Sequence, residues 1–302
     1  MRVLIVGCGY VGLPLGIELI SLGHEVSGLR RNPAAEGELK TVGIQPLFAD
    51  ITKPDELEKL PREFDWVVNC VAAGGDAENY REVYFNGTKN LIEWLAPIPP
   101  KKFVYTSSTS VYAQNDGSQV KESSPAEPVA ETAKMLVETE KILLAAFQQK
   151  KFSAVILRVA GIYGPGRGHW FKQFLKNEAR MEGDGSRILN MIHRDDLIGC
   201  IIAALKSGRA GEIYNAVDDE PVSQRNFLEW LAGTLGKYPP PSAPENSGEN
   251  RRRGLTNKRV SNRKLKMELG CRFKHPNFRI GYSAEILRLD RAGGLHVAPD
   301  ER

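Results

Sequence analysis

The chain has 302 residues, 41% of them hydrophobic and 26% charged, with 41 Lys and Arg against 37 Asp and Glu. That size and composition support a sizeable core in one large or two small domains and exclude wholesale disorder. The formal charge of +4 is too mild to argue for nucleic acid or a membrane surface.

Cys8, Cys70, Cys200 and Cys271 lie far apart with no CxxC pair, which argues against a disulfide framework or a thiolate zinc site and fits a reducing, cytoplasmic setting. The apolar start is interrupted by Gly7, Gly9, Gly12, Pro14 and Glu18, and is too short before Gly7 for a signal core of about 7–15 residues. A buried strand and turn are expected there, not a signal or membrane anchor. No other stretch approaches spanning length.

In chain order, Val3–Val6 reads as a strand and Leu13–Leu22 as a helix stopped by Gly23. Glu25–Leu29 and Pro46–Ala49 read as strands, Asp55–Leu60 as a short helix, and Trp66–Ala72 as a continuous apolar strand. A long helix is expected over Tyr80–Leu95, strands at Phe103–Thr106 and Ala154–Val159, and a helix between them from about Glu131 to Phe147. Apolar strands alternating with helices imply a parallel sheet covered on both faces. After the break at Gly164-Pro165-Gly166, helices are expected at Asp195–Leu205 and Asn226–Leu235, flanking a strand at Glu212–Val217. Pro239–Asn250 reads as an exposed loop, and Arg251–Lys266 as a basic, solvated face, with a clamp for substrate phosphates as the alternative.

Gly7-Cys8-Gly9-Tyr10-Val11-Gly12 follows a strand and opens a helix. Glycines there let backbone N–H groups approach a pyrophosphate, whose charge the helix N-terminus stabilises. Gly7, Gly9, Tyr10, Val11 and Gly12 are therefore expected to bind a dinucleotide. Where the second strand would end in an acidic residue for the ribose hydroxyls stand Arg30 and Arg31, which suit a 2′-phosphate and favour NADP, with NAD as the alternative. Asp50, ending the third strand, is placed to accept from an adenine amino group. Ala72, ending the fourth, completes the cofactor-binding set.

The chain resembles the extended short-chain dehydrogenase/reductases, the NAD-dependent epimerase/dehydratase group. The resemblance rests on the glycine loop, Asp50-Ile51, Asn86–Leu91, Thr106–Tyr112, Tyr163–Arg167 and Ile192–Asp196, and covers Met1 to about residue 285. It implies an α/β Rossmann-type, doubly wound parallel sheet over residues 1–162, joined by the strand and helix at about 195–220. A smaller C-terminal substrate lobe over 163–285 and a tail over 286–302 would follow. It also implies that Ser108 hydrogen-bonds the reacting oxygen. The family's catalytic Tyr stands four residues before a Lys that binds the nicotinamide ribose, with a Glu four residues further on. Lys134 followed by Glu138 matches, but Ala130 fills the tyrosine position and cannot transfer a proton. In this the chain is similar to an atypical subgroup, the bacterial YeeZ-like proteins. Gly161 stands where sugar-nucleotide enzymes often carry an Asn.

Ser108 and Lys134 are thus the expected catalytic residues. Tyr112, Tyr163, His169 and Glu131 are expected to be structural, as are His193, Asp195 and Asp196, with Asp195 a helix cap and no metal. The resulting expectation is an NADP-preferring oxidoreductase, epimerase or reductase acting on a small carbonyl or sugar-like molecule. The alternative is a catalytically impaired cofactor sensor. Gly9–Pro14 also resembles the start of UDP-sugar dehydrogenases, but Cys200 and Cys271 lack the glycine-rich setting that family's nucleophile needs. The expected partner is a small-molecule substrate, with no nucleic acid or membrane; the resemblance implies that two copies can pack as a homodimer through the helices near 80–95 and 131–147.

Overall fold

The computed structural model describes residues 1–150, 152–243 and 256–291. The first part alternates as the apolar periodicity predicts: β1 (Arg2–Val6), α1 (Gly12–Ser21), β2 (Glu25–Arg30), α2 (Glu36–Thr41), β3 (Gln45–Phe48), α3 (Pro54–Leu57), β4 (Trp66–Asn69), α4 (Ala77–Tyr80), α5 (Gly87–Leu95), β5 (Lys102–Ser108), β6 (Gln119–Val120), α6 (Glu131–Lys150) and β7 (Ala154–Val159). There follow β8 (Gly161–Tyr163), α7 (His169–Leu175), β9 (Ile188–Leu189), β10 (Met191–His193), α8 (Arg194–Ser207), β11 (Ile213–Ala216), β12 (Val222–Ser223), α9 (Gln224–Leu235), β13 (Arg259–Val260), α10 (Arg263–Leu269) and α11 (Phe278–Arg291).

Seven strands form one sheet in the order β11-β7-β5-β4-β1-β2-β3. Its neighbours pair in parallel throughout. Val3, Leu4, Ile5 and Val6 are essentially inaccessible, as a central strand covered on both faces requires. From β1 the chain runs outward to β2 and β3, then crosses to β4 and beyond. The order therefore reverses at the β1–β4 boundary, where the carboxyl ends of the strands open a crevice.

The expected helix over Tyr80–Leu95 is three consecutive segments, with residues 81–86 wound as a π-helix between α4 and α5. Residues 286–291, expected in the tail, continue α11. Residues 244–255, which include most of the expected loop and the start of the basic face, lie outside the described residues. A separate hydrophobic cluster, called the small lobe below, is built around Tyr163, Phe171, Phe227, Leu231, Phe278 and Tyr282. No helix among the described residues is long and apolar enough to cross a membrane.

Candidate functional site

A cavity of about 970 Å³ follows the carboxyl ends of the sheet strands. Gly7, Gly9, Tyr10, Val11, Arg30, Arg31, Asp50, Ala72 and Ser108 all line it. The glycine loop fits a dinucleotide on three counts. Gly7 has φ +86°, and a Cβ there would stand 2.7 Å from the Val71 nitrogen. A Cβ on Gly12 would stand 2.6 Å from the Gly7 carbonyl oxygen, so helix and strand meet without room for a side chain. At Gly9 a Cβ would meet nothing within 4 Å, so the backbone there borders open space. No side chain caps α1; the Leu13 and Leu15 amides already donate to the Gly9 and Val11 carbonyls and Pro14 has no N–H, so the amides of Tyr10, Val11 and Gly12 are the donors an anion would meet. Cys8, between these glycines, is fully buried, and burial pushes its thiol up to about 12. It packs the loop and is no nucleophile.

At the β2 end, Arg30 pairs with Glu38. Arg31 is 79% exposed and lies 4.0 Å from Asp50. Partial burial raises the Asp50 carboxyl, but hydrogen bonds from the Thr52 amide and hydroxyl outweigh it, helped by Arg31, and hold it below its ordinary range. Tyr10 is half-buried under two guanidiniums, Arg167 at 5.0 Å and Arg194 at 5.4 Å from its ring. Its hydroxyl has no partner among the described residues. Beyond β4, the Ala73 amide donates to the Tyr84 hydroxyl oxygen (3.2 Å), which orients the segment carrying Ala72.

Ser108 ends β5, where its Oγ accepts from the Ser110 amide at 3.2 Å. Lys134 does not join it. The lysine sits on the outer face of α6, paired with Glu131 at 2.6 Å, and does not line the cavity. The reason is the docking of α6. Glu140 is the carboxylate that turns inward, receiving Ser107 Oγ at 2.6 Å and Arg158 Nη2 at 2.7 Å in a buried pair. Glu138, expected in that role, is exposed and faces Arg81 at 3.5 Å. Counted from the inward-turned Glu140, the spacing of the family pattern falls on Leu136 and Thr132, neither a lysine nor a tyrosine, and of the two only Leu136 lines the cavity.

Among the other polar candidates, Tyr112 is buried, donates to Asn215 Oδ1 at 2.8 Å, and packs under Arg158. Tyr163 stacks on Tyr282 with ring centroids 4.4 Å apart. The cap of α8 is His193, whose Nδ1 accepts from the Asp195 amide, and not Asp195 itself. Asp196 is buried and accepts from the amides of Lys274 (2.6 Å) and His275 (2.9 Å). His193, Asp196 and His275 offer ligand atoms within 4.8 Å of one another. The two imidazoles lie close, with centroids 3.7 Å apart and planes tilted by 32°, and the group joins β10 and α8 to the C-terminal segment.

His169, expected to be structural, borders open space. A second cavity of about 260 Å³ lies in the small lobe, and both cavities share Ser108, Ala160, Gly161, Ile162, Gly168 and His169 as lining. Ser108 and His169 therefore stand where the two spaces meet.

A sheet of this order, with an uncapped glycine turn at its switch point and a hydroxyl at the end of β5, defines a dinucleotide-binding protein of the Rossmann type. The model of the NAD dependent epimerase/dehydratase family matches residues 3–216, and the chain belongs to that family. It is 29% identical to protein YeeZ of Escherichia coli K12 over 246 residues, covering 79% of this chain and 85% of that one. It is 25% identical to the 3-diazoavenalumate denitrifying reductase of a Streptomyces species over 94% of this chain and 100% of that one. A solved structure from Methylobacillus flagellatus, described provisionally as an NAD-dependent epimerase/dehydratase, is 31% identical with TM-score 0.75, covering 96% and 98% of the two chains.

Proposed function

We propose that the protein is an NADP(H)-preferring reductase of a small carbonyl substrate, with Ser108 on the reacting oxygen and His169 as the proton donor. The observation that carries this reading is the shared lining of the two cavities. One is shaped for a dinucleotide, the other is small, and Ser108 and His169 border both. The bound dinucleotide supplies the hydride. Ser108 donates a hydrogen bond to the carbonyl oxygen, and the His169 imidazolium gives that oxygen its proton, completing an alcohol. Arg30 and Arg31, both lining the dinucleotide cavity, support the preference for a 2′-phosphate. The Streptomyces relative is a reductase by name, which supports this reading. The four free thiols support a reducing, cytoplasmic location. Nucleotide sugars are not expected substrates, because the tyrosine of the family pattern is missing and Gly161 replaces the asparagine.

NADPH oxidation over a panel of small aldehydes and ketones tests the reaction. Ser108→Ala and His169→Asn should each lower kcat by about tenfold or more, with NADPH affinity retained. Separate titrations should give tighter binding of NADP(H) than of NAD(H). A double Arg30→Ala/Arg31→Ala variant should lose roughly 1.5–3 kcal/mol toward NADP(H) alone. A second reading, a cofactor-binding sensor, is favoured by one observation: Leu136 stands where a ribose-binding lysine would. Tight NADPH binding with no turnover of any carbonyl would establish that reading instead.

A further inference from the structure

The basic stretch expected to be a solvated face carries a lysine that is not solvated. Lys258, just before β13, is only 3% exposed. Its Nζ donates to the Tyr112 carbonyl at 2.7 Å and to Thr256 Oγ1 at 2.8 Å. An ammonium has three donors, so one remains, and Lys258 lines the smaller cavity. No carboxylate pairs with it among the described residues. Arg187 lines the same cavity. Its Nε donates to the Thr256 carbonyl at 3.2 Å and its Nη1 to Glu182 at 2.9 Å. Thr256 thus ties both cations together, and the second terminal nitrogen of the guanidinium has no partner among the described residues.

The strand that presents Lys258 is held firmly. Asn190 donates to the Lys258 carbonyl at 2.9 Å and accepts from the Val260 amide at 2.8 Å. The Ile188 amide donates to Asn257 Oδ1 at 3.0 Å. Among the described residues, the cavity wall carries these two cations, the hydroxyls of Ser108, Thr109 and Ser110, and no carboxylate. Burying an ammonium without a counter-charge is costly. A cationic neighbour adds to the cost, and burial together with Arg187 holds Lys258 down to about 8. Such an arrangement is relieved by an anion that enters from solution.

We propose that the small-lobe cavity is the substrate site for an anionic molecule, whose carboxylate or phosphate is held by Lys258 and Arg187 while its carbonyl reaches Ser108. This rests on the proposed reductase reading for the carbonyl end, but the anion grip stands on its own residues. At about 260 Å³ the cavity falls below the roughly 300–1,000 Å³ usual for drug-sized ligands, so the substrate is small. Trp170, Leu189, Met191 and Tyr282 supply an apolar wall for its carbon skeleton.

Calorimetry with benzoate, its neutral isostere benzamide, and inorganic phosphate tests the grip without cofactor or turnover. Benzoate should bind and benzamide should not. Phosphate binding more tightly than benzoate would assign the site to phosphate esters, and the reverse order to carboxylates. Lys258→Met and Arg187→Gln should each weaken the preferred anion by about tenfold or more. NADPH affinity, measured on every variant, should not change. If Lys258→Met fails to fold, Arg187→Gln and the benzoate–benzamide pair still decide. The proposal is overturned if benzoate and benzamide bind wild type equally, if neither anion binds up to its solubility limit, or if the folded variants bind the anion as wild type does. Failure of NADPH to bind wild type would instead count against the reductase reading.

Discussion

A single side chain's role here depends on which way its helix faces, and Lys134 is the clearest case. Its ammonium is already paired with Glu131 on the exposed side of α6. Lys134→Ala is expected to change NADPH affinity and stability by no more than about 0.5 kcal/mol. A loss of tenfold or more in titration would show that the lysine reaches the cofactor after all. The glycine loop allows fold and binding to be separated at neighbouring positions. Gly12→Ala puts a methyl 2.6 Å from a carbonyl oxygen and 2.9 Å from Ile5. It should cost about 1–3 kcal/mol of stability, seen in urea unfolding. Gly9→Ala meets no atom of the protein. It should leave the unfolding midpoint nearly unchanged and weaken dinucleotide binding, because its methyl projects into the space the ligand needs. Equal effects of both substitutions on stability would refute this division.

Helix α6 shows how much of an element can be read without its neighbours. Its existence and extent were legible, since apolar residues recur at helical spacing from Ala133 to Ala146. Its rotation was not. Glu138 and Glu140 are chemically the same, and the sequence alone could not say which one turns inward. The choice is made by Arg158 on β7 and Ser107 on β5, strands 18 and 33 residues away in the chain, which meet Glu140 only in the folded sheet. With Glu140 turned inward, Lys134 lies on the surface and not at the cavity, where it was expected. The glycine loop was legible for the opposite reason: its constraints are local to one strand and one turn. The same distinction explains Lys258, which composition placed among solvated basic residues and which Asn190 and Tyr112 bury from distant parts of the chain. Because Glu140 leaves Arg158 its buried counter-charge, Glu140→Gln should destabilise the protein by about 3–5 kcal/mol. A midpoint shift within the error of denaturant titration would mean that the pair does not hold α6 to the sheet.

At the scale of the whole molecule, the sheet and the small lobe are joined where His193 and Asp196 meet the segment carrying His275. His193 is buried, and burial, reinforced by the nearby His275 and opposed in part by Asp195 and Asp196, holds its imidazole down to about 4, against 6.5 for an ordinary histidine. The folded protein thus keeps this ring neutral over a range in which the unfolded chain protonates it. The unfolded state binds more protons between those two values, so acid favours unfolding. This contribution is intact above about pH 6.5 and is lost progressively as pH falls toward about 4. One pKa unit is worth about 1.4 kcal/mol, so the loss is on the order of 2–3 kcal/mol. The carboxylates of the protein also titrate in this range, so the contribution must be read as a difference between two proteins. His193→Asn supplies the comparison, because asparagine offers an oxygen to the Asp195 amide in place of Nδ1 and retains the cap on α8. Urea midpoints measured from pH 7 down to about pH 4.5 should fall more steeply for wild type than for the variant, the curves converging as the medium becomes acidic. Parallel curves would show that His193 takes up its proton without opening the junction between sheet and lobe, and would remove a neutral His193 as a requirement for the two to stay together.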